Sequence, residues 1–183
     1  MCLAAVTWTS AASAQPRAID TAKSVMTVRV YKSGVLSALG HNHEIAAPIA
    51  GGTVDSTARR VELRTKAGAL QVNDPGVSDK DRAEIQTTML GPEVLDVEKH
   101  PEIAFRSTNA DSGGAGSWKL EGNLTLHGQT RPVTVEVREA DGHYVGACRF
   151  KQTEFGIKPV KAGGGTVRVK DEVRIEFDIQ LAR

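Results

Sequence analysis

The chain has 183 residues, enough for one well-cored domain, and its 40% hydrophobic and 25% charged content is that of an ordinary globular protein. The formal net charge is +1 and Lys and Arg never run beyond two in a row, which removes the electrostatic footprint of a nucleic-acid or anionic-membrane binder. Beyond the first residues, no segment approaches the ~20 apolar residues of a membrane-spanning helix.

Residues 1–14, MCLAAVTWTSAASA, carry no charge and end in Ala12-Ser13-Ala14, the small-x-small form cleaved by signal peptidase. They are expected to be an export leader, although a positive n-region is missing, with the domain proper over residues 15–183. Cys2 would leave with the leader and strand Cys148 as a lone thiol, so no internal disulfide can form and stability must come from the core.

From about Ser24 the chain alternates as half-buried strands do. Met26, Val28 and Val30 share one face. The stretch LGHNHEI, Leu39 to Ile45, follows. In a strand His41 and His43 point to the same side, so they suit a metal pair, a polar mouth that meets a ligand's headgroup, or structural hydrogen bonds. Two imidazoles are not a zinc site, and no metal ligand set is assigned. Asn42 points the other way.

One helix is predicted over Ser78 to Leu90, where Ser78 and Asp81 form a capping box, Ile85 and Met89 fall one turn apart, and Gly91-Pro92 ends the run. Asp79 and Asp81 suit the helix dipole and lack the remaining ligands of a calcium loop. A second turn is expected in EVLDVEKHP. Its acids Glu93, Asp96 and Glu98, beside His100, read as a solvated patch.

Alternation resumes at Trp118, Leu120, Leu124 and Leu126, again at Val133, Val135 and Val137, and finally from Val173 to Leu181. HGQTRP, ADGH and KAGGGT separate these strands as hairpin turns, with glycine available for positive φ. His127 is expected to bond a turn carbonyl. Cys148 shares its face with Tyr144 and Phe150 and reads as a buried, inert thiol. The triple glycine lacks the following Lys-Ser/Thr of a phosphate loop. No nucleophile elbow, catalytic residue or cofactor motif is assigned.

Three stretches carry a resemblance: VLDVEKHPEIAFRST (Val94 to Thr108), GNLTLHGQTRPVTVEV (Gly122 to Val137), and TEFGI followed by KDEVRIEFDIQLA. In order and spacing they resemble the YceI-like family of exported bacterial proteins. The chain departs from the family pattern at Lys23, Val28 and Lys32, at His41 and His43, and at Gln152, Thr153 and Glu154. The resemblance implies a periplasmic carrier of an extended apolar amphiphile: a polyisoprenoid, an isoprenoid quinone or a fatty-acid-like lipid.

The expected fold is therefore all-β with minor α, a lipocalin-like antiparallel barrel of eight strands with a short helical insertion, acting as monomer or homodimer. Strand faces that converge in such a barrel give the candidate apolar lining: Val28, Val30, Phe105, Leu124, Leu126, Val135, Phe150, Phe155, Ile175 and Phe177, with His41 and His43 at one end. Two alternatives stay open: a metal-dependent enzyme using His41 and His43, and a structural or stress protein whose barrel is filled by its own side chains.

Overall fold

The computed structural model describes residues 15–33, 42–162 and 167–183, without the side chains of 162 and 167. The expected leader with Cys2, and Gly40 and His41, lie outside the described residues, as do three residues of the KAGGGT turn and its Thr166.

Twelve strands form one antiparallel sheet among the described residues. They are β1 (Arg17–Ala18), β2 (Val25–Ser33), β3 (His43–Ala46), β4 (Ile49–Asp55), β5 (Arg60–Lys66), β6 (Gln71–Val72), β7 (Glu102–Gly114), β8 (Ser117–Leu126), β9 (Gln129–Ala140), β10 (His143–Lys151), β11 (Lys161–Ala162) and β12 (Val167–Ile179). The order is β1-β4-β5-β7-β8-β9-β10-β12-β2-β3-β6, with β11 paired to β12.

The count is twelve, not the expected eight. β1, β6 and β11 are two-residue pairings, too short for a period of two to register. Ala47-Pro48 separates β3 from β4, and proline cannot donate to a ladder. This break also curls the sheet. β3 bonds to β2 while β4, two residues on, bonds to β5, so one run of chain bridges two distant strands. Elsewhere, Asp20 N donates to Gln180 O at 2.8 Å and Ala182 N to Ala18 O at 2.8 Å. Register shifts in β7–β8 and between Val169 and Val173 of β12 add the twist that lets long strands bend round a core.

The turns obey their chemistry. β8 and β9 are joined by His127 (φ 50°) and Gly128 (φ 69°), β9 and β10 by Asp141 (φ 53°) and Gly142 (φ 79°). Two positive φ values in a two-residue loop match the twist of the flanking strands, and His and Asp tolerate that region better than most residues.

Helix α1 (Asp79–Leu90) begins at Ser78, whose side chain accepts from Asp81 N. It buries Met89, and its Gln86 serves the sheet edge: Gln86 Oε1 accepts from Val72 N and Gln86 Nε2 donates to Leu70 O, each at 2.8 Å. The side-chain amide thus satisfies one backbone group of β6 and the carbonyl just before it, at the edge where no further strand pairs among the described residues. After α1, turns over residues 91–99 bring Leu95 into the core. Phe155, fully buried, packs edge-on to Phe150 at 5.1 Å and fills this end of the molecule.

Candidate functional site

Inward-facing side chains, mostly of β5, β7, β8, β9, β10 and β12 with Met26 of β2 and Val54 of β4, line a partly open cavity of about 260 Å³. Volume on this scale holds roughly nine water-sized groups and falls just below the usual range of ligand pockets. Val61 and Leu63 of β5, Phe105 of β7, Leu120 and Leu124 of β8 and Val135 of β9 are among its walls. Such walls offer no hydrogen bonds to water, so an apolar guest is favoured over solvent.

Polar groups mark one end. Ser56 and Arg59 of the β4–β5 turn and the strand ends Asp55 and Arg60 border the cavity, and Trp118 and Tyr144, rings 6.1 Å apart, line it at the same end of their strands. Deeper in, at the far end of β5, Thr65 lines the cavity at 1% exposure, and among the described residues its hydroxyl has no hydrogen-bond partner. Burying an unpaired hydroxyl is costly, so this oxygen is available to a guest's polar atom. Burial pushes the Cys148 thiol, also on the wall, up to about 11.

Of the candidate lining residues, Phe105, Leu124, Val135, Ile175 and Phe177 border the cavity. Val28, Val30, Leu126, Phe150 and Phe155 belong to the packed core. Leu124 and Leu126 show why. Both face inward on β8, but Leu126 lies one step nearer the end that Phe150 and Phe155 fill. Thr65 was not singled out from the sequence, although its signal is plain: it is the polar member of the inward series Val61, Leu63, Thr65.

His43 is not on the cavity wall. Its Nδ1 lies 2.6 Å from Asp74 Oδ2, and Asp74 Oδ1 accepts from Glu44 N at 2.6 Å. Asp74 is 1% exposed, so the imidazole and one backbone amide together satisfy a buried carboxylate. His127 bonds the carbonyl of Phe155 at 3.1 Å, the turn contact expected for it. His143 meets Asp178 at 3.1 Å on the exterior.

A sequence profile described as the YceI-like domain matches residues 18–181. The chain belongs to the YceI-like family. Among curated relatives, a UPF0312 protein of Shewanella sp. (strain W3-18-1) is 29% identical over 160 residues, 81% of this chain and 80% of that protein. A UPF0312 protein of Azotobacter vinelandii is 31% identical over 106 residues, 52% of this chain and 55% of that one. Among solved structures, Burkholderia cenocepacia BcnA superposes with a TM-score of 0.62 at 18% identity, covering 90% of this chain and 99% of its own. A Campylobacter jejuni YceI protein gives 0.52 at 10% identity over 68% and 72%. The curled sheet of this YceI-like chain is thus the fold of its family.

Proposed function

We propose that this YceI-like protein is a carrier that holds the tail of an apolar amphiphile inside its curled sheet. The observation that carries this reading is the cavity itself, walled by aliphatic and aromatic side chains and bordered at one end by Asp55, Ser56, Arg59 and Arg60. A guest with a long apolar part and a few polar atoms matches that distribution, with isoprenoid, quinone and fatty-acyl tails as the class. Thr65 adds one hydrogen-bonding group at depth, which suits a hydroxyl or carbonyl on the guest. Holding is favoured over catalysis because walls of this kind contact a tail without polarising a bond. Among the described residues no helix is long and apolar enough to cross a membrane. Export to the periplasm rests on the leader character of residues 1–14 and is checked by fractionation and N-terminal sequencing, which should find the mature chain starting after Ala14.

The binding test is displacement of a fluorescent hydrocarbon probe from purified protein, comparing wild type with Leu124→Asp and Val135→Asp. A charge on this wall must be desolvated or hydrated inside the cavity, and either outcome removes room for the tail. Folded variants should lose probe uptake by roughly tenfold or more. Undiminished uptake in a folded variant contradicts the reading.

A further inference from the structure

At the end of β8 away from the β4–β5 turn, three side chains meet that the cavity does not use. Asp96 and His100 lie one turn apart after α1, with His100 N donating to Asp96 O at 2.8 Å, and His127 opens the β8–β9 turn. One carboxylate oxygen of Asp96 and one ring nitrogen from each histidine lie within 4.8 Å of one another. The two rings stand edge to face with centroids 4.9 Å apart.

Two details of the surroundings prepare these donors. The Phe155 carbonyl can only accept, so the 3.1 Å contact fixes the proton of His127 on Nδ1 and leaves the Nε2 lone pair free. A backbone carbonyl on the other ring nitrogen is the usual partner of a metal-ligating histidine. Next to it, a side chain at Gly128 would put its Cβ 2.6 Å from Cε1 of His100, so the glycine makes room for the second imidazole beside the first.

We propose that Asp96, His100 and His127 form a binding site for a divalent first-row transition ion of the zinc class. Two imidazoles and one carboxylate suit a borderline-soft ion better than calcium or magnesium, which prefer oxygen donors throughout. In a tetrahedral site with bonds of about 2.0–2.2 Å the donors stand roughly 3.4 Å apart. Closing from 4.8 Å or less needs about 1.4 Å at most, a side-chain adjustment. Three protein ligands leave a position for water. The competitor is Lys99, whose Nζ already holds Asp96 Oδ2 at 2.8 Å.

The test uses the untagged full chain, treated with EDTA and exchanged into metal-free buffer. Zn²⁺ is titrated by calorimetry and Co²⁺ by visible absorption. The expected result is one ion per chain, Co²⁺ bands of nitrogen and oxygen ligation without thiolate charge transfer, and affinity lowered roughly tenfold or more by His100→Gln or Asp96→Asn. Among the described residues the His100 ring makes no hydrogen bond, so His100→Gln spares the fold where His127→Gln removes a structural contact. Lys99→Met removes the competing cation and should tighten binding. Absence of a one-to-one site, or a site unaltered in the His100→Gln, Asp96→Asn double variant, overturns the proposal.

Discussion

Thr65→Val separates stability from binding at one oxygen atom. The replacement keeps the shape of the side chain and deletes the hydroxyl of a residue that is 1% exposed, a group with no partner among the described residues. An unpaired buried hydroxyl costs about 1–3 kcal/mol, and valine suits a strand at least as well as threonine. The ligand-free variant should therefore gain about 1–2 kcal/mol, a rise in Tm of about 2–8 °C for a chain of this size. Binding should divide by guest chemistry. A pure hydrocarbon probe should bind as well or better, whereas a long-chain alcohol or ketone that reaches Thr65 should lose about 0.5–1.5 kcal/mol, roughly twofold to tenfold in Kd. Urea denaturation and probe titration measure the two effects. A variant destabilised by more than about 1 kcal/mol would show that the hydroxyl has a protein partner and refute the reasoning.

Ala110, buried on β7 and on the cavity wall, is a second probe: Ala110→Leu adds three carbons to free volume, so stability should rise by up to about 2 kcal/mol while hydrocarbon-probe affinity falls. A loss of stability with unchanged affinity would mean that the added carbons do not enter the cavity. Asp74→Ala leaves Glu44 N and the His43 ring without their buried acceptor and should cost about 3 kcal/mol or more in urea denaturation, while Asp74→Asn keeps one acceptor and should cost about half as much. Equal stability of the alanine variant and wild type would contradict that role for Asp74. Hydrogen bonding to Arg29 holds the Glu176 carboxyl below its ordinary value of 4.5, so its contribution is present above that value and is lost as pH falls further. Glu176→Gln should flatten stability against pH below about 4.5 by less than about 1 kcal/mol, since the group is a third exposed, and an unchanged acid limb would show that the ion pair is idle.

Strands such as β9 and β12 were legible because one face is apolar and the other polar or charged at every step: Val133, Val135 and Val137 against Thr134, Glu136 and Arg138. The helix was legible from Ser78 and Gly91-Pro92. Two-residue strands were not, because their pairing is set by the neighbouring strand and not by their own pattern. Position along the barrel axis was also hidden: Leu124 and Leu126 have the same period and composition, yet one walls a cavity and the other is packed core. Tertiary pairings at long separation were hidden for the same reason. Nothing local ties His43 to Asp74, or His127 to Asp96 and His100; only the path of the chain around α1 and the β8–β9 turn brings them together.

Native mass spectrometry of untagged protein isolated from a bacterial periplasm, with lipid extraction of the same sample, tests the carrier reading most directly. The expected spectrum shows one amphiphile per chain, released on denaturation and absent from a folded Val135→Asp variant. A chain that carries no amphiphile, and takes up none when offered isoprenoid, quinone and fatty-acyl lipids, would contradict it.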